Sequence, residues 1–249
     1  MSIFDQDNAL IWERYNISYG DILLEKNKFF ELTKMSVQQL SRKMEAIEKD
    51  NYDPEYNQEF DDLEDDADQD GFYGYGIFDD DSSNIQGYMY GYNFSEDEID
   101  DISNIDPSTI KFYDEQFKKD MLVDSIQKFD LDNLSILDKV QLKFIQKKLI
   151  KRIRKQFTPS NTFYVANFVV NKKFRLGVKP LIQNVLKGVK TKGKQYIMMA
   201  ALPDSHKLFS RPDGQLHTAR LESFGIGVLA TVHVDDQVMY LLKINQLNK

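Results

Sequence analysis

Three acids at alternate positions, Asp66, Asp68 and Asp70, followed by Gly71, offer the oxygens that open a calcium-binding loop. A complete loop closes on a bidentate Glu at its twelfth position, and here that position is Ile77. The pattern therefore predicts weak Ca²⁺ contact at these acids and no other cofactor. His206, His217 and His233 have no metal-ligand spacing. The chain has no Cys, which removes thiolate metal sites and disulfides. Asp204, Ser205 and His206 are neighbours on one stretch, whereas a triad needs groups converging from separate elements. No catalytic residue is assigned on this reading. The densest cationic chemistry lies at Lys143, Lys147, Lys148, Lys151, Arg152, Arg154 and Lys155, with Lys172, Lys173 and Arg175 beyond. Such side chains hold phosphates without reading sequence, so a nucleic acid or another polyanion is the expected ligand.

These residues belong to two tracts of one sign. Residues 50–110 hold 20 acids and no Lys or Arg, and residues 139–203 hold 16 bases and no Asp or Glu. The net charge of -8 conceals that separation. A field so divided needs a target, either an outside partner or the opposite half of the chain. The sequence predicts that the acidic tract rests partly on the basic surface, anchored by its tyrosines. No run approaches the roughly 20 apolar residues that cross a bilayer, and no leader peptide is evident, so no membrane contact is expected.

The elements that position these groups follow from periodicity. Ser36 and Gln39 form a capping-box pattern ahead of Val37, Leu40, Met44 and Ile47 at helical spacing. The opening segment, with Leu10, Ile11, Trp12 and Tyr15, is amphipathic and could dock on a partner. Within the acidic tract, the patches at 72–76 and 87–92 alternate aromatics with glycine, and a strand is expected at 85–94. Leu142, Ile145, Leu149, Ile153 and Phe157 give one apolar stripe on a basic helix that Thr158 and Pro159 end. Strands are expected at 162–170 and 174–178, with a turn at Asn171–Lys173 between them. A helix with Pro180 in its first turn, a buried strand at 195–202, a short helix closed by Gly225 and a hairpin across Asp235 and Asp236 complete the pattern. The fold class is α+β. Residues 1–49 read as a helical segment, 50–110 as an acidic Tyr/Gly-rich insertion, and 111–249 as the basic helix plus a mixed β-sheet domain with flanking helices.

Two family resemblances come from these residues. A strand ending in Ala201-Leu202-Pro203, a helix, then Phe224-Gly225-Ile226-Gly227-Val228-Leu229, resembles the carboxyl-terminal half of the PD-(D/E)XK nuclease fold. That resemblance implies a metal site on the strands at 162–178. These strands hold no acid, so it implies a nuclease-like scaffold without its catalytic carboxylates. Residues 169–182, with Arg175 and Gly177, loosely resemble the pyrophosphate loop of GNAT acetyltransferases. The loop is one residue shorter than in that family and has Lys179 where a small residue is usual. This second resemblance implies acyl transfer from coenzyme A.

The leading expectation is a non-enzymatic protein that binds through charged surfaces on the degenerate nuclease-like scaffold. Its partners would be a nucleic acid on the basic face and a protein elsewhere. The alternative is a structural component of a larger assembly such as a phage virion, and the third reading is a GNAT-like acyltransferase. The expected location is the cytoplasm or a virion.

Overall fold

The computed structural model describes residues 28–51, 60–78, 84–95, 109–121, 135–171, 174, 177–201, 209–210, 215–234 and 237–245. The amphipathic segment around Trp12 lies outside them. Ser36 and Gln39 close the expected capping box, Ser36 N donating to Gln39 Oε1 at 3.2 Å and Gln39 N to Ser36 Oγ at 3.3 Å. They start helix α1, Val37–Asn51, just after strand β1, Lys28–Glu31, and a 3-10 turn. The acidic run folds into α2, Phe60–Asp68, and Leu63 is its buried apolar contact.

The aromatic patches are strands. Tyr73–Phe78 is β2 and Ile85–Asn93 is β3, and both lie inside the sheet with burial along most of their length. After β3 come a short strand β4, Ile110–Phe112, then α3, Glu115–Asp120, and the basic helix α4, Ile136–Gln156. The remainder is β5, Thr162–Val170; α5, Val178–Thr191; β6, Tyr196–Ala201; α6, Thr218–Phe224; β7, Ile226–Val234; and β8, Gln237–Ile244.

The strands form one mixed sheet in the order β1-β2-β3-β5-β6-β8-β7-β4. Among the described strands only β5 and β6 run parallel, and α5 lies in the crossover between them. This is an α+β protein with strands from the acidic tract and from the carboxyl-terminal half in a single sheet. The hairpin expected across Asp235 and Asp236 is present, with Val234 opposite Gln237. The strand expected at 174–178 is not. Phe174 N donates to Asn171 O at 2.7 Å, which turns the chain, and α5 starts at Val178. The nuclease-like reading needed a second strand there, ahead of the helix, and the fold does not supply it.

Helices cover both faces. On one, Val178, Leu181, Ile182, Val185, Leu186 and Val189 of α5 enter a core with α6 and with Phe163, Val165, Met199 and Tyr240 of the sheet. Each such aliphatic contributes about 2 kcal/mol when taken fully from water. The opposite face divides in two. Leu40, Met44 and Ile47 of α1, with Leu63 of α2, pack on Tyr88, Tyr90 and Val169. Leu149 and Ile153 of α4, with Phe117 of α3, pack on Met198, Leu229 and Leu241. The tyrosines of the acidic tract therefore face α1 and α2. The expectation that they anchor the tract on the basic surface of residues 139–179 is corrected at the side chains of Tyr88 and Tyr90, which face α1 and α2, while β3 itself pairs with β5 and Tyr92 packs on Tyr164 within those residues.

The pairing of β3 with β5 slips once. Tyr90 faces Asn167 and Gly91 faces Val165, which leaves Ala166 as an extra residue, a β-bulge. The slip changes the side-chain parity of β5: Phe163 and Val165 share a face with Phe168 and Val170. Glycine at 91 permits the close approach, because a Cβ there would fall on the Tyr164 carbonyl oxygen. Gly91→Ala is expected to lower stability by about 3 kcal/mol through overpacking, read as a shift of the urea midpoint. An unchanged midpoint would show that β3 and β5 are not locked at this bulge.

Candidate functional site

The bulge determines where the sheet opens. The parallel ladder of β5 and β6 runs from Thr162 opposite Tyr196 to Val165 opposite Met199 and ends there. Past Val165, β5 continues to Val170 paired with β3, while β6 continues to Ala201 paired with β8. The two strands part beyond their last rung. A fork between parallel strands at their carboxyl ends is where open α/β sheets take ligands. The last rung extends to a third strand, since Met199 is also opposite Tyr240 of β8.

One side of the fork is apolar and ends in a phenol. Phe168, Ile182, Met199, Phe209, Leu221 and Tyr240 line a narrow crevice between the sheet and helices α5 and α6. Phe209 spans it, its ring 6.2 Å from Phe168 and 5.8 Å from Tyr240. Burial, and after it the nearby Tyr113, hold the Tyr240 hydroxyl well above the usual tyrosine range. It therefore keeps its proton at neutral pH. Above the crevice, α5 begins after Gly177 with no side chain capping it. The first amides of this 14-residue helix are thus left without a side-chain partner.

The other side of the fork is acidic. Glu48, on the last turn of α1, is 1% exposed. Its Oε1 accepts from the hydroxyl of Tyr88, and from Nδ2 of Asn167 at 3.3 Å, the residue that follows the bulge. Tyr90, stacked on Tyr88 at 5.9 Å, donates its hydroxyl to Asp66 of α2 at 3.1 Å. A carboxylate held by a buried tyrosine hydroxyl gains about 1.5–3 kcal/mol from that bond.

The structure separates the residues singled out in the sequence. Lys143, Lys147, Lys148, Lys151, Arg154 and Lys155 are exposed along α4, away from the fork. Arg152 is half-buried and donates to the Asp120 carbonyl. Lys172, Lys173 and Arg175 lie outside the described residues. Asp66 and Asp68 are in a helix, not a loop, and Asp66 is engaged by Tyr90. Asp70 accepts from Asn93 Nδ2 at 2.7 Å. Among the described residues no group of three His, Cys, Asp or Glu side chains is arranged to hold a metal. The calcium reading loses its loop because residues 60–68 gain more as a helix against α1.

Glu48, Tyr88, Asn167 and Tyr240 did not emerge from motif reading. Two signals were present. Glu48 falls four residues after Met44 on the apolar stripe of α1, and Asn167 interrupts an otherwise apolar strand. A charge on an apolar stripe and an amide in a core strand both need a buried partner, and each supplies the other's.

No protein-family model matches the chain, and no curated protein sequence does. Solved structures do. Ard1 from Thermoplasma volcanium is similar over 89% of this chain and 99% of its own, with 10% identity and a TM-score of 0.45. NAA60 from Arabidopsis thaliana, in complex with acetyl-CoA, is similar over 87% and 96%, with 11% identity and a TM-score of 0.42. The NatC complex bound to Gag peptide and CoA is similar over 89% and 99%, with 11% identity and a TM-score of 0.41. Further similar structures are named as acetyltransferases, among them aminoglycoside 6'-acetyltransferase type Ii, with 10% identity and a TM-score of 0.41 over 86% of this chain and 92% of its own. The nuclease-like resemblance, the non-enzymatic binding role built on it, and the virion alternative give way to that finding. At these scores an acyl-transfer reading has to stand on the geometry of the fork.

The raised Tyr240 has a consequence for stability. A phenol whose folded pKa lies above its unfolded value of about 10 makes its full contribution to stability below that pH and loses it progressively as pH rises from there through the raised folded value. Denaturation midpoints should hold from pH 7 to 9 and fall above about pH 10. The fall should be smaller in Tyr240→Phe. Equal falls in both proteins would place the alkaline sensitivity elsewhere.

Proposed function

We propose that the protein is an acyltransferase that takes its acyl group from a coenzyme A thioester and passes it to an amine. The observation that carries this reading is the fork past Val165 and Met199, with α5 opening above it. The chemistry of the donor set fits such a cofactor. An uncapped helix start with Lys179 in its first turn, preceded in sequence by Lys172, Lys173 and Arg175, suits a pyrophosphate, and residues 139–203 hold no acid to repel one. Two strand edges parting without a ladder suit a slender arm of amides, which can pair as a strand would. The resemblance of residues 169–182 to a GNAT pyrophosphate loop supports the same assignment.

When bound, an acyl thioester of coenzyme A would supply an activated acyl carbonyl and a thiolate leaving group. The roles of the chain's own residues follow from their sides of the fork. Tyr240 keeps its proton in its buried position and can donate it to a departing sulfur. Glu48, joined to Tyr88 and Asn167, offers an acceptor for the amine's proton on the opposite face. Asp66, joined to Tyr90, adds negative charge on that side. An acceptor that arrives as a cation is favoured there, and an anionic acceptor is disfavoured.

The chain lacks Cys, so release of free coenzyme A can be followed with a thiol reagent without background from the protein. Acetyl-CoA with a panel of primary amines should give amine-dependent thiol release. Tyr240→Phe and Glu48→Gln should each lower kcat by about 100-fold, the usual scale of one acid or base. Coenzyme A affinity by calorimetry should be retained in both and lost in Arg175→Glu. A wild-type protein that binds no coenzyme A would overturn the reading.

A further inference from the structure

Helix α4 carries a second charged surface that the fork does not use. Its buried side is set by Leu149 and Ile153, which pack on the sheet. At 100° per residue, the arc opposite them contains Val140, Lys143, Phe144, Lys147, Lys148, Lys151, Arg154 and Lys155. Every one of these is exposed, and no acid lies among them. Val140 is 61% exposed and Phe144 60%, two of the three large apolar side chains exposed among the described residues. They sit one turn apart, and Lys148 Nζ lies 4.5 Å from the Phe144 ring centre. Among the described residues no carboxylate forms an ion pair with Lys143, Lys147, Lys151 or Lys155.

We propose that this outward face of α4 docks the protein on an anionic lipid surface. The charge complement is a surface of negative headgroups, since the arc is basic throughout. The protruding Val140 and Phe144 decide between anionic partners. Phosphates along a nucleic acid would leave an exposed valine in water, whereas a bilayer interface takes up both apolar side chains while lysines reach the headgroups. A 21-residue helix is about 31 Å long, so one flat surface meets the whole row. The sequence reading expected no membrane contact. The surface-bound mode needs no spanning segment, and no described helix is long and apolar enough to span. This inference is independent of the acyl-transfer reading.

The test is co-flotation of the full chain with vesicles of neutral phosphatidylcholine, and with vesicles holding about a third phosphatidylserine, at low and high salt. The expected result is binding to the anionic vesicles alone, weakened by salt. Reversing three charges in K147E/K151E/K155E should weaken it by about 100-fold or more, as each basic residue near the surface contributes about fivefold. V140S/F144S should weaken it several-fold with the salt dependence kept. These positions are exposed, and unchanged melting temperatures would confirm that the variants fold. Absence of binding to anionic vesicles would overturn the proposal. So would equal binding to neutral vesicles, or vesicle binding that V140S/F144S leaves intact. Tighter binding to duplex DNA than to anionic vesicles, indifferent to V140S/F144S, would assign the face to nucleic acid instead.

Discussion

The site depends on one extra residue in β5. Inserting Ala166 opposite the step from Tyr90 to Gly91 bends the strand and increases its local twist. From that point β5 follows β3 and leaves β6, so the parallel ladder of β5 and β6 stops after Val165 and Met199. Without the bulge, nothing in the register would prevent the ladder from continuing to Asn167 opposite Ala201, and the fork would close. The bulge is secured from both sides. Gly91 lets the backbones approach within a distance no side chain would permit, and Asn167 is held from below by Glu48. A buried carboxylate is costly unless its lone pairs are satisfied, so Tyr88 and Asn167 stabilise Glu48 as much as Glu48 positions them.

The division of charge in the sequence acquires a spatial meaning from this arrangement. The acids of α2 lie with α1 on one face of the sheet, and α5, which carries Lys179, Lys187 and Lys190, lies on the other. The fork passes between them. A reaction joining an anionic donor to a cationic acceptor needs such opposite fields on its two sides, because each steers its own reactant and repels the other's. The tracts are therefore read better as two addresses than as a pair that neutralises itself. Contact between α2 and the basic helix is not what holds them, since α2 packs on α1 and β3.

Much of the local structure could be read from residue types. The capping box of α1, the strand at Ile85–Asn93, the apolar stripe of α4, the hairpin at Val234 and Gln237 and the helix after Gly177 all follow from periodicity and caps. Their assembly could not. Tyr73-Gly74-Tyr75-Gly76 looks like a patch on an acidic appendage because its neighbours in sequence are charged. In space its neighbours are β1 and β3, which bury it. Residues 174–178 had strand propensity, but the turn from Asn171 to Phe174 and the start of α5 consumed them. Pairing across long separations leaves no mark in a local window. The site suffered most, since Glu48 and Asn167 are 119 positions apart and meet only because β3 and β5 are neighbours.

The long excursion between these two neighbours shows how the fold accommodates it. In sequence, residues 94–161 separate β3 from β5, which argues against a hairpin-like pair. In space, Phe94 N donates to Thr162 O at 3.3 Å, so the excursion leaves and returns at one point. Closing a longer loop adds entropy cost only as the logarithm of its length. The segment offsets that cost by its own packing. β4 joins the free edge of β7, and the bulged Leu229 carbonyl accepts from Tyr113 N and Asp114 N at 3.0 and 3.3 Å. Phe117, Leu149, Ile153 and Phe157 then cover the half-face that α1 and α2 leave open. Removing the excursion would spare the β3–β5 register in principle but expose Met198, Leu229 and Leu241 to water. The fork needs Met198's neighbour Met199 held in place, so α4 supports the site through the sheet while its outer face remains available for other use.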